Sequence, residues 1–326
     1  MSLPYTARLL CLCCASFFLI HAALAAAARL LTPGALRVAA HMQARTAARF
    51  LFALRMSPLL LTLVAVFGFC IPSYLWLEPE ASGETVGLVC VLLAVLGLAV
   101  WACALGRVMI AVHRTTRLLR QCERYGRRIN VRGEASPVLL LADRTPVLAA
   151  AGIFHPQLLI SRSVIHGLSR GEREAALRHE RAHCASGDNL KRFLVLLAPD
   201  ALPFLSTFAG LERAWSKFTE WAADDQATGG DPQRALSLAA ALVRVARMGS
   251  KPRLSYLSCS LIGEGQELSE RVDRLLHPQP KAGRPVRELV PLLTGAGALV
   301  ASAVALMVLW PGTLAMVHAA LEHLVR

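Results

Sequence analysis

Four stretches of this chain are almost wholly apolar for about the length a helix needs to cross a bilayer, roughly 20 residues, and no other feature limits its fold as severely. They cover residues 9–28, 58–77, 86–106 and 289–310. Lipid offers no partner to backbone N–H and C=O groups, so such runs form transmembrane helices. Composition agrees: 55% of the 326 residues are hydrophobic and 17% are charged, against about 25% charged in an ordinary soluble domain. Disorder and a small disulfide scaffold are excluded. Cys11, Cys13, Cys14, Cys70, Cys90 and Cys103 lie inside apolar runs, and Cys122, Cys184 and Cys259 form no CxxC pair.

The formal net charge of +13 fits either a nucleic-acid surface or Arg-rich loops beside spans. Its distribution favours the loops. Arg29, Arg37, Arg45, Arg49 and Arg55 separate the first two spans, whereas Glu78, Glu80 and Glu84 separate the second and third. Arg107, Arg114, Arg117, Arg120, Arg124, Arg127, Arg128 and Arg132 follow the third. By the positive-inside rule both termini lie outside and residues 107–288 are cytoplasmic. Arg8, the first apolar run and Ala23-Leu24-Ala25 also have the form of a signal peptide. Cleavage there would put both basic loops outside, so a retained span is expected. Three regions follow: a membrane region 1–106, a cytoplasmic domain 107–288, and a last span with a short tail, 289–326.

Within the domain, residues 107–128 continue the third span as a helix. Short apolar stretches at 137–142, 147–152 and 157–161 are broken by Asp143-Arg144-Thr145-Pro146 and His155-Pro156, and predict a small β-meander. Helices are expected from there to residue 288. Ser169-Arg170-Gly171-Glu172 has capping-box form. The helix it opens should end near Gly187, with Asp188 as the N-cap of the next.

That capped helix carries His179-Glu180-Arg181-Ala182-His183, an HExxH. The i, i+4 spacing puts both imidazoles on one face, one turn apart, as two ligands of a tetrahedral Zn²⁺ require. Glu180 stands beside them as a general base and acid. A catalytic zinc needs a third protein ligand. Glu220-Trp-Ala-Ala-Asp224, an ExxxD, can supply Glu220, with Asp224 bracing a ligand histidine. Glu212 competes as third ligand but has no carboxylate four residues on.

HExxH followed about 36 residues later by ExxxD resembles the gluzincin metallopeptidases. With its span arrangement, the chain resembles the M56-type membrane metallopeptidases, which include the β-lactam-sensing antirepressor proteins. Gly152-Ile-Phe-His-Pro156, Leu168-Ser169, Gly187-Asp188-Asn189-Leu190 and Glu270-Arg-Val-Asp-Arg-Leu-Leu276 add to the likeness, which covers roughly residues 5–312. The resemblance implies a mainly α membrane protein: four transmembrane helices with a cytoplasmic α+β gluzincin-type domain between the third and fourth. It implies a zinc endopeptidase of the bacterial inner membrane, with His179, His183 and Glu220 as ligands and Glu180 as catalytic base. Its partners would be the bilayer and a cytosolic protein substrate, a transcriptional repressor in the antirepressor branch. Direct nucleic-acid binding is not expected, and a homo-oligomer is allowed. Sensor members carry a penicillin-binding domain after the last span, where this sequence has only residues 311–326, so direct β-lactam sensing is not expected.

Other readings stay open. The apolar stretch 193–210 is interrupted by Pro199, Asp200 and Pro203. It can form a plain core helix, or a broken hairpin packed on the domain or dipping into the inner leaflet. If it crossed the membrane, Glu220 and the histidines would lie on opposite sides. Tyr256, Arg271 and His277 are candidate oxyanion donors. His155 and His166 suit solvated turns, Cys184 a small buried site, and strand 147–151 either core or a surface for an added substrate strand. Rival functions are a membrane quality-control protease, a catalytically silent membrane receptor or scaffold, and a nucleic-acid module.

Overall fold

The structure, a computed structural model, describes residues 4–78, 86–129, 138–142, 147–200, 208–248, 258–260, 265–277 and 311–325. Most of them are helical. Three helices are long and apolar enough to cross a membrane. They are α1 (Tyr5–Ala40); α2 (Ala44–Ala65), which runs through a π-helical turn (Val66–Cys70) into α3 (Ile71–Leu77); and α4 (Leu88–Tyr125). Pro72 lacks the N–H that would bond the preceding turn, which fits the widened π geometry there.

With 36 and 38 residues, α1 and α4 are about 54 and 57 Å long, nearly twice the hydrocarbon thickness of about 30 Å. The spans expected at 9–28, 58–77 and 86–106 are thus the apolar parts of longer helices. Residues 29–57 are a helical hairpin rather than an irregular loop. Alanines make this possible: Ala35, Ala39, Ala44, Ala47 and Ala48 are strong helix formers whose small side chains are buried in the hairpin. On the outer face of α4, Leu88, Val89, Leu92, Val95 and Leu98 are exposed, the surface a lipid-facing helix presents.

The expected fourth span, 289–310, lies outside the described residues. Residues 311–325, expected as part of a tail, form α11 (Pro311–Val325). Its Leu314 and Leu321 are buried, and Ser73 Oγ donates to Leu314 O at 2.9 Å. The helix therefore packs on the bundle at the end that holds the α3–α4 connection.

The sheet corrects the expected meander. Strands β1 (Arg127–Ile129), β2 (Val138–Leu141), β3 (Leu148–Ala151), β4 (Gln157–Ser161) and β5 (Ser258–Ser260) run in the order β1-β2-β4-β3-β5. β4 pairs parallel with β2 and antiparallel with β3, so the sheet is mixed. The chain passes over to β3 and returns between β2 and β3. β5 interrupts the region expected to be wholly helical. All four residues of β3 are buried, as suits an inner strand, and both its edges are paired, so it leaves no free edge for an added substrate strand.

The sheet is a middle layer. Leu139, Val147, Ala151 and Leu159 pack with Leu118, Leu119 and Cys122 of α4. Val138, Leu148 and Ile160 face the other way, into the main core, following the two-residue period of a strand. That core is completed by α5 (Arg162–Gly167), α6 (Arg170–Ser186), α9 (Pro232–Arg247) and α10 (Gly265–Leu276). The remaining helices are α7 (Asp188–Leu197) and α8 (Ala209–Thr228). α8 lies along the α1–α2 hairpin, where Leu211, Trp215 and Phe218 pack against Ala44, Ala47, Ala48 and Leu51. The domain is thus seated on the extended ends of the membrane helices.

Gly97 tests the α1–α4 contact. A Cβ there would lie 2.5 Å from Cys14 O, whereas one at Gly106 would meet nothing within 4 Å. Gly97→Ala should destabilise the detergent-solubilised protein by about 1–3 kcal/mol. Gly106→Ala should leave it unchanged or stabilise it by up to about 1 kcal/mol. Thermal unfolding of the two variants measures the contrast.

Candidate metal centre

The site begins with a helix held at both ends. Ser169 Oγ accepts from Glu172 N at 3.3 Å, and Glu172 Oε2 accepts from Ser169 N at 2.7 Å, a reciprocal box that satisfies two amides at the start of α6. Gly187 ends the helix in the left-handed region, with φ 66°, which glycine adopts without a Cβ penalty. Between these ends His179 and His183 point the same way, their Nε2 atoms 3.1 Å apart. Glu220, on α8, brings Oε2 to 3.4 Å from His179 Nε2 and 3.6 Å from His183 Nε2. All three residues are buried.

These distances suit one ion. Ligands at 2.0–2.1 Å in a tetrahedral zinc site stand roughly 3.3–3.4 Å from each other, in the middle of the observed range. The donor set of two imidazoles and one carboxylate is that of a catalytic zinc site with a position left for water. Among the described residues this is the one group of three or more His, Cys, Asp or Glu side chains close enough to share an ion. One buried acceptor is unmet: Glu180 Oε1 accepts no hydrogen bond, which costs about 1–3 kcal/mol, and a cation at the site would offset part of that cost.

A second ring of carboxylates orients the imidazoles. Asp224 Oδ1 lies 2.9 Å from His179 Nδ1, and Asp188 Oδ2 lies 2.8 Å from His183 Nδ1. A proton on His183 Nδ1 faces Asp188 and leaves the Nε2 lone pair for a metal, while Asp224 stands beside His179 Nδ1 without an aligned hydrogen bond. Lys191 Nζ donates to the other Asp188 oxygen at 2.8 Å. Asp188 is therefore not the N-cap expected for α7. It sits in the first turn and turns its side chain back to His183. No motif flagged this role, although an Asp directly after the glycine that ends an HExxH helix is a usable signal.

Arg271 is the other surprise. Expected as a candidate oxyanion donor, it is 1% exposed. It grips Asp224 with two donors, Nε to Oδ2 at 2.9 Å and Nη2 to Oδ1 at 2.7 Å. Its Nη1 lies 3.1 Å from Glu220 Oε2. Burial alone would raise Asp224, but Arg271 and His179 outweigh it and hold the carboxyl down at about 2. Glu220 is likewise kept well below the usual carboxylate range by His183 and Arg271, against the effect of burial. Glu180 goes the other way. Burial pushes it up to about 7, beyond what the two histidines and the Ala150 amide pull back.

Glu180 is fixed by the sheet: its Oε2 accepts from Ala150 N at 3.0 Å. Asn189 ties the same strand to the start of α7, donating to Ala150 O and Gly152 O at 3.0 and 2.8 Å. The other candidates lie elsewhere. Glu212 pairs with Arg55, so it does not replace Glu220. His277 is exposed and pairs with Asp273, and His155 and His166 are exposed. Cys184 is half-buried rather than buried, and Tyr256 lies outside the described residues.

No family model matches this chain, and no curated protein or solved structure does either.

Two substitutions test the geometry. His183→Ala removes a donor atom and should abolish stoichiometric zinc binding. Asp188→Ala keeps all three donors but frees the His183 ring, and should weaken zinc binding by about 10- to 100-fold. Competition with a chelator of known affinity measures both.

Proposed function

We propose that this protein is a membrane-embedded zinc endopeptidase that hydrolyses peptide bonds of a cytosolic protein. The observation that carries the reading is the approach of His179 Nε2, His183 Nε2 and Glu220 Oε2 to within 3.1–3.6 Å of one another, with the Glu180 carboxyl alongside. HExxH and ExxxD, in the order and membrane context of the antirepressor metallopeptidases, support the choice of zinc and of peptide substrates.

A zinc ion held by His179, His183 and Glu220 would supply a Lewis acid that acidifies water and polarises a carbonyl. Glu180 moves the proton. Its Oε2 is tied to the Ala150 amide, which leaves Oε1, without a hydrogen bond, to take a proton from the attacking water. The water oxygen bonds to the carbonyl carbon, and the C–N bond breaks as Glu180 delivers that proton to the leaving nitrogen. A carboxylic acid and an amine result, with no other reactant. A carboxyl shifted towards neutrality suits both halves of this transfer. Arg271 is committed to Asp224 through two N–H donors, so we assign it to orienting His179 rather than to the oxyanion.

The cytoplasmic assignment rests on charge. The metal site lies at the end of the bundle where Arg29, Arg37, Arg45, Arg49, Arg107 and Arg114 cluster, and basic residues at span ends stay inside. A site facing the cytosol of a bacterial inner membrane suits signal-dependent removal of a regulatory protein, such as a repressor.

Comparing cellular proteomes that carry wild type or Glu180→Gln tests the proposal. The variant keeps all three metal-facing atoms and should hold zinc at the wild-type ratio. One cytosolic protein, or a few, should be cut with wild type and left intact with the variant. An identical cleavage pattern with both would remove Glu180 from the mechanism.

A further inference from the structure

The two halves of the metal site are joined by α7 and the connection that follows it, and one side chain from a membrane helix grips both ends of that connection. Arg55, near the middle of α2, is 2% exposed. Its Nη2 donates to Ala198 O at 3.2 Å and Asp200 Oδ1 at 3.1 Å, at the end of α7. Its Nε donates to Glu212 Oε1 at 2.7 Å, in the first turn of α8, and the guanidinium sits 4.5 Å from the centre of the Phe208 ring. Arg107 of α4 takes the other Asp200 oxygen at 2.6 Å, and His21 of α1 lies 3.0 Å from Pro199 O. All three spanning helices therefore hold residues 198–200. Ala198 itself packs with Phe17, Met56, Leu59 and Val66, three of them in the apolar runs. These contacts set residues 198–200 among the three long apolar helices, and residues 201–207 of the apolar stretch lie outside the described residues.

We infer that Arg55 is a positioning residue of the metal centre, clamping the α7–α8 connection so that Glu220 stays in register with His179 and His183. The inference rests on the metal-centre reading above and adds a dependence of that centre on the membrane helices. The physical basis is loop closure. His183 and Glu220 are far apart in sequence, and a connection free at either end costs entropy each time the donors meet. A fork tied to both ends removes much of that freedom. Arginine suits the task because its planar fork serves several acceptors at once, where a lysine ammonium on a flexible stem does not. A shift of α2 against α4 would pull on Asp200 and Glu212 together, and so move the helix that carries Glu220.

The test uses the full chain in lipid nanodiscs, with zinc affinity from chelator competition and the visible absorption of the Co²⁺-substituted protein. Arg55→Lys, Arg55→Met and Asp200→Asn should each weaken zinc binding by about tenfold or more and alter the Co²⁺ bands. Leu51→Ala opens a cavity at the same α2–α8 contact without touching the clamp. It should lower the unfolding temperature and leave zinc affinity and the Co²⁺ spectrum unchanged. Wild-type affinity in Arg55→Lys and Asp200→Asn would overturn the inference, as would an equal loss of affinity in Leu51→Ala. Wild-type protein that binds zinc but cuts no peptide would overturn the peptidase proposal and leave the clamp standing.

Discussion

Three metal-facing atoms from two helices have to converge in a dry interior, and the other buried groups of the domain are arranged around that demand. Two imidazoles come for little, because an i, i+4 pair shares a helix face. The carboxylate of Glu220 is the costly partner, since it arrives from another helix and loses its water. Arg271 and the histidines keep it ionised. The Ser169 cap, the Gly187 stop, the strand that holds Glu180 and the carboxylates behind each histidine reduce the freedom of these groups before a metal is considered.

Membrane and domain are mechanically one object. α8 touches the α1–α2 hairpin through Leu211, Trp215 and Phe218, and it bears Glu220 and Asp224 on the same helix. α6 carries the histidines and packs into the core beneath the sheet. The centre therefore lies between a helix seated on the spans and a helix seated in the domain. A change in the bundle has a short path to the ligand set, through side chains already in contact.

What the sequence revealed, and what it hid, follows from the range of the interactions. HExxH, the capping box and the Gly187 stop are local, and α6 lies where they put it. Strand positions were legible from short apolar stretches, but their order was not. β3 is Leu-Ala-Ala-Ala, buried throughout, with no alternation to mark its neighbours. Hydropathy located three apolar runs but not the ends of their helices, because an alanine-rich helix continues after lipid contact stops. Arg55 looked like an ordinary positive-inside residue; its burial depends on Asp200 and Glu212, at least 145 positions away. Arg271 and Asp188 were hidden for the same reason. Each takes its role from a partner that only tertiary packing supplies.

The central proposal is that His179, His183 and Glu220, which stand close enough to share one metal ion, hold zinc. Zinc-edge X-ray absorption on the full-length protein tests it most directly. The account predicts one zinc per chain with only nitrogen and oxygen neighbours at about 2.0–2.1 Å, an imidazole signal of two rings, and loss of that signal in His179→Ala. Sulfur neighbours near 2.3 Å, or a zinc signal unchanged in His179→Ala, would contradict it.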